Sequence, residues 1–204
     1  MIRKKRIFRD NTFKIKYHKI DILNDFLIIN YTTKNMETAI VAIKKTGYVS
    51  EILTNLYLGD IETSQDESTI RRLRIKHIIN LSNEEHYKKW DNISYTDIPI
   101  EDNKNVNISE YIKNCVNIIE NCRQNGENIL VHCFSGVSRS VSIILSYLVY
   151  KKFTLKQAFE HVKSIRINQY TLPNIGFFKQ LIKYEKEIND ENTMNMNDYV
   201  KLRN

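Results

Sequence analysis

The segment Val131-His132-Cys133-Phe134-Ser135-Gly136-Val137-Ser138-Arg139-Ser140 sets a thiol and a guanidinium six positions apart. The apolar run Ile129-Leu130-Val131 leads into it and a helical pattern follows, so it reads as a turn from a buried strand into a helix. Amides of such a turn converge on one point, and the helix beyond contributes the positive end of its dipole. Together they make an anion site. Gly136 gives the backbone the freedom a tight cradle needs. Arg139 offers a planar fork that matches two phosphate oxygens. Positive charge and a helix N-terminus favour the thiolate form of a cysteine, and a thiolate facing a phosphoryl group is an in-line nucleophile. The expected chemistry is phosphoryl transfer to Cys133, through a phosphocysteine intermediate. Amides and Arg139 stabilise the equatorial oxygens, so neither a metal nor another cofactor is required.

Phe134, Ser135, Gly136, Val137, Ser138 and Arg139 are the expected phosphate-binding residues. Ser140 directly follows the clamp and can donate a hydrogen bond to the sulfur when it leaves; as a plain alternative, it starts the helix. His132 precedes the nucleophile on the strand, and strand alternation points its side chain away from Cys133, which assigns it to loop support. An acid must also protonate the departing oxygen. Asp102 lies in the polar stretch Glu101-Asp102-Asn103-Lys104-Asn105 at the end of the preceding strand. Parallel strands put it on the same sheet edge as Cys133. Glu101 and Asp97 compete for the role.

The elements around this loop alternate. Leu56-Tyr57-Leu58 is a short strand closed by Gly59-Asp60, and residues 66 to 74 are helical. His77 to Leu81 is a near-continuous apolar run, as in a strand buried on both faces. Residues 93 to 100 form another strand. A helix with Ile108, Tyr111, Ile112, Cys115, Ile119 and Cys122 on one face ends at Gly126. Helices are expected over 138–150, 154–166 and 173–188, with Thr154 and Thr171 as starts and Pro173 in a first turn. This order predicts an α/β fold: a central, mostly parallel sheet of about five strands flanked by helices.

The first 46 residues carry no catalytic pattern. Phe13 to Tyr17 alternates as a half-buried strand, Phe26 to Tyr31 is a short apolar run, and Met36 to Lys45 reads as a short helix. Most of the formal charge of +7 sits here, since residues 3 to 19 hold eight cations against Asp10 alone. A basic arm beside a near-neutral remainder does not suit a nucleic-acid groove reader. The expected division is a basic extension of unknown role over 1–46, a catalytic domain over 47–188 and a polar tail over 189–204. Pairing of subunits through the first section would give a homodimer. Three cysteines without CxxC spacing suggest neither zinc nor disulfides, and Cys115 and Cys122 read as core residues. No apolar run is long enough for a membrane helix, and the first residues lack a signal-peptide core or a lipid-anchor motif. The expectation is an intracellular, reducing location such as the cytoplasm, without secretion or a membrane anchor.

His132-Cys133, five residues, then Arg139-Ser140 resembles the motif of protein tyrosine phosphatases. The fuller pattern resembles their dual-specificity branch, in its small atypical form without a docking domain. The matching stretches are Leu56-Tyr57-Leu58-Gly59, Ile79-Asn80-Leu81, Ile98 to Asn103, Ser146-Tyr147-Leu148, and Pro173-Asn174 with Phe177 and Gln180-Leu181, over about residues 49 to 188. The resemblance implies the tyrosine phosphatase fold and a shallow pocket that admits phosphoserine and phosphothreonine as well as phosphotyrosine. It implies phosphorylated proteins as partners, and it places the acid on Asp102. Ser135 stands where many relatives have Ala, and the stretch from Ser164 to Leu172 is slightly long, which leaves Arg166 without an assigned role.

Overall fold

The computed structural model describes residues 16–23, 26–32, 38–44, 48–85, 89–166 and 171–203. The chain divides into two compact units, Met1–Thr46 and Gly47–Asn204.

In the first unit, β1 (Lys16–Leu23), β2 (Phe26–Thr32) and β3 (Thr38–Lys44) form an antiparallel sheet in that order. Residues 13 to 15 of the expected first strand lie outside the described residues. The helix expected over 36–45 is replaced by β3, which pairs with β2 from Thr32↔Thr38 to Phe26↔Lys44. The physical reason is composition: Thr38, Ile40, Val41 and Ile43 are β-branched, which lowers helix propensity and suits a pleated surface.

The second unit begins with the hairpin β4 (Ser50–Leu53) and β5 (Leu56–Gly59), turned at Asn55 with φ +67°. Two short helices follow, α1 (Ile61–Gln65) and α2 (Glu67–Arg72), capped by the side chains of Asp60 and Asp66. Then come β6 (Ile75–Asn80), β7 (Ser94–Asp97), α3 (Ser109–Gln124), β8 (Asn128–His132) and α4 (Arg139–Tyr150). The chain continues as α5 (Leu155–Ile165), α6 (Ile175–Asn189) and α7 (Met196–Arg203). The sheet order is β4-β5-β8-β6-β7, and every neighbouring pair is parallel except β4 with β5. This is the five-stranded, mostly parallel α/β sheet that the pattern predicts.

Alternation along the strands divides the core into two layers. Leu56, Leu58, Ile79, Ile129 and Val131 pack on the side of α3 to α6, whereas Tyr57, Ile78 and Leu130 pack with Ile70 and Ile75 on the other. The helix α4 is buried from Arg139 to Val149. Its serines are tolerated there because Ser142 and Ser146 donate to the carbonyls four residues earlier, at 2.8 and 2.9 Å. The α3 face predicted from sequence is buried at Ile112, Cys115, Ile119 and Cys122. All three cysteines are free.

One of the two expected threonine helix starts differs from expectation. Thr154 caps α5 through a capping box with Gln157, as its type suggests. Thr171 does not start the next helix: Asn174 is the cap of α6, accepting from the amides of Gly176 and Phe177, and Pro173 precedes it. Residues 189–204, polar in composition, carry α7. Met194 and Tyr199 pack into the core, with the Tyr199 ring 4.9 Å from that of Phe178. One aromatic contact outweighs the polar average because burial is decided side chain by side chain.

Candidate active site

The site forms where β8, the central strand, ends. The pairing with β6 runs one bond further, from the Leu81 amide to the His132 carbonyl at 2.9 Å, so the chain enters the 133–139 loop from a fixed direction. His132 is fully buried and its Nδ1 lies 3.1 Å from the Cys133 carbonyl. Two loop carbonyls are held from outside: Phe134 O accepts from the Ile61 amide at 3.1 Å, and Val137 O from the Leu172 amide at 3.2 Å. Carbonyls turned outward leave the adjacent amides to face inward, which is how an anion cradle is made. Gly136 adopts φ +68°, and a Cβ there would stand 2.7 Å from the Gly59 carbonyl. Only glycine fits that combination.

Cys133 is 1% exposed, sunk beneath the loop, and its Sγ accepts a hydrogen bond from Ser140 Oγ at 3.2 Å. Arg139 is 8% exposed. Its Nη1 donates to the Ile100 carbonyl at 2.9 Å and lies 3.4 Å from that of Leu81, which fixes the guanidinium plane. Its Nε is buried with no hydrogen-bond partner. A buried cationic donor without an acceptor is costly, and an oxyanion would satisfy it. Ser138 stands at the cap position of α4 but makes no capping bond, so the first amides of that helix have no side-chain acceptor. Phe134 and Ser135 are exposed at the rim, Gly136 and Ser138 are buried, and Val137 is intermediate.

Ser138 is turned instead toward Asp102. Its Oγ donates to Asp102 Oδ1 at 2.6 Å and accepts from the Asn174 amide at 3.0 Å. Asn174 Nδ2 donates to the same carboxylate oxygen at 2.8 Å. With two donors on Oδ1, a proton held by Asp102 resides on Oδ2. The competing carboxylates are placed differently. Asp97 is held by Asn80 Nδ2 and Lys89 Nζ, both at 3.1 Å. Glu101 shares with Asp102, Phe134, Arg139 and Glu84 the lining of a hollow of about 270 Å³, but only Asp102 is tied to the loop.

Arg166, which sequence reasoning left unassigned, lies behind the loop and is 3% exposed. Its Nη1 donates to the Leu58 carbonyl at 3.3 Å, and its Nη2 would be 3.3 Å from a Cβ on Gly136. Burial lowers its pKa, with nearby Asp60 and Cys133 opposing; a guanidinium stays charged regardless. Asp60 is itself buried and fastened by the Thr63 and Tyr48 amides, each at 2.9 Å. Sequence reading also missed the role of Asn174. A Pro-Asn pair ahead of an apolar-periodic run is a helix-start signal, but nothing local shows what else that asparagine touches.

The dual specificity phosphatase catalytic-domain model matches residues 56–187. The chain is 32% identical over 167 residues to dual specificity protein phosphatase 1 of Arabidopsis thaliana, covering 78% of this chain and 83% of that one. It is 37% identical to dual specificity protein phosphatase 5 of Rattus norvegicus over 68% of this chain, which spans 36% of the rat protein's length. The crystal structure of DUSP15 superposes with a TM-score of 0.62 at 31% identity, over 70% of this chain and 96% of that one.

Proposed function

The chain belongs to the dual specificity phosphatase family, and from that premise we propose how its residues hydrolyse phosphotyrosine and phosphoserine or phosphothreonine. The Cys133 thiolate attacks phosphorus; the S–P bond forms as the P–O bond to the substrate breaks. Asp102 gives its Oδ2 proton to the departing oxygen. The loop amides and Arg139, through Nε and its outer nitrogen, hold the equatorial oxygens. In the second step Asp102 takes a proton from water, the water oxygen attacks phosphorus, and phosphate leaves. Ser140 donates to the sulfur as it regains its charge. His132 and Arg166 position the loop.

The observation that carries this reading is the Arg139 guanidinium, anchored at Nη1 yet bearing a buried Nε without an acceptor. Protein substrates fit the rim: Phe134 is 54% exposed, and the acidic residues Glu84 and Glu101 line the hollow together with Arg139. Those anions disfavour polyphosphorylated substrates such as inositides or RNA 5′-triphosphates. A free thiol nucleophile also suits a reducing, cytoplasmic location. Among the described residues no helix is long and apolar enough to cross a membrane.

Phosphate release from an aryl phosphate and from phosphopeptides tests the reading. Cys133→Ser is expected to lose activity by on the order of 10³-fold or more, and acid quenching of wild type during turnover should show a phosphate adduct on Cys133. Wild-type activity in Cys133→Ser would remove the nucleophile assignment.

A further inference from the structure

A second hollow adjoins the first across Asp102. It is a groove of about 530 Å³ between the acid-bearing loop, the start of α6 and α7. Leu172, Pro173, Ile175 and Tyr199 give it an apolar lining, and Lys104 and Arg203 give it two cations. Among the described residues neither cation forms an ion pair. Asp102, the carboxylate on its border, is already engaged by Ser138 and Asn174.

Both cations are mounted on fixed backbone. A Cβ on Gly176 would stand 1.9 Å from the Lys104 carbonyl, so glycine lets the acid-bearing loop lie directly on α6. Tyr199 is buried against Phe178, and Arg203 lies four residues on, hence on the same face of α7. The hollow on the other side of Asp102 carries Glu84 and Glu101. The two hollows therefore differ in charge: Glu84 and Glu101 join Arg139 in lining one, and Lys104 and Arg203 join Asp102 in lining the other. The family match ends at residue 187, so α7 and Arg203 lie beyond it.

We propose that this groove is a recognition subsite for an acidic side chain next to the phosphorylated residue of a peptide substrate. An Asp or Glu carboxylate meets Lys104 and Arg203 while the peptide's apolar atoms lie along Pro173 and Tyr199. The inference rests on the phosphatase reading and adds the flanking sequence that the enzyme selects.

The test compares kcat/KM for phosphopeptides identical except for the residues flanking the phosphate: acidic, neutral or basic. Wild type is expected to favour acidic over neutral flanks by roughly three- to tenfold, the size two exposed charge pairs can supply. The preference should shrink as salt rises. In the Lys104→Glu/Arg203→Glu double variant it should reverse toward basic flanks. Both side chains are exposed, so the fold tolerates the change. Equal turnover of all flanks by wild type, or an unaltered preference in the variant, overturns the groove and leaves the phosphatase reading standing. Faster turnover of an inositol phospholipid than of any peptide overturns it by giving the cations to a lipid headgroup. Absence of phosphate release from peptides and aryl phosphate alike removes the phosphatase reading itself, and the subsite with it.

Discussion

The Asn174 side chain reaches back 72 residues to donate to Asp102 Oδ1 at 2.8 Å. Its own carbonyl oxygen caps α6 by accepting from Gly176 and Phe177. The same residue therefore starts a helix and aims the carboxylate proposed as general acid. Through the bond between its amide and Ser138 Oγ, it also ties the acid to the loop that holds Cys133.

Asn174→Ala removes both functions. Loss of the cap is expected to cost about 0.5–2 kcal/mol in urea unfolding. Misorientation of the acid should lower kcat by roughly 10- to 100-fold, with a change in the pH profile that a purely structural residue would not cause. Asn174→Asp keeps the cap and loses the donor. If it restores stability and kcat together, the positioning role is wrong.

Asp102→Asn is expected to lower kcat by about 10²- to 10⁴-fold. The loss should be smallest for leaving groups that are good without protonation. Vanadate binding should stay close to wild type, because Asp102 stands outside the cradle. A variant as fast as wild type on phosphoserine peptides would move the acid elsewhere, with Glu101 next to be examined.

Gly136→Ala forces a side chain onto a backbone at φ +68°, into 2.7 Å of the Gly59 carbonyl. A left-handed conformation costs a non-glycine residue about 1–2 kcal/mol, and the clash adds to it. The loop is expected to open, with vanadate affinity falling at least tenfold. Unchanged affinity would show that the cradle does not depend on this turn.

Arg166→Ala leaves Asp60 buried without the neighbouring cation that offsets it, and takes support from behind Gly136. The expected result is a lower melting temperature and a lower kcat/KM. Arg166→Lys should rescue part of the stability, since the charge is retained without the planar fork. Were Arg166 a direct substrate ligand, KM alone would rise and the melting temperature would hold.

Stability should fall in two stages on acidification. Burial lowers the His77 pKa from 6.5, with Glu127 opposing. The unfolded chain then binds the proton more readily, so stability drops between pH 6.5 and that lowered value. Glu120 is held below its usual 4.5 first by the Tyr147 hydroxyl and then by Lys151 and Gln124. Its contribution is present above pH 4.5 and disappears as pH falls through the lowered value. Urea midpoints against pH should show both stages, with His77→Gln removing the upper and Glu120→Gln the lower. Stability that rises as pH falls below 6.5 would contradict the first assignment.

The amino-acid order alone singled out the loop proposed to react, because Cys133, Gly136 and Arg139 owe their meaning to spacing within one turn between a strand and a helix. It also fixed the alternation that makes a parallel sheet, since apolar period is a local property of each segment. It misread residues 36 to 45, where a short apolar stretch fits either period and the pairing with β2 decided. What only the tertiary structure settled are contacts between distant segments: Asn174 with Asp102, Arg166 behind Gly136, and Tyr199 carrying α7 to the edge of the site. Such contacts leave no periodicity behind, because each depends on where two remote stretches of chain meet after the core has packed.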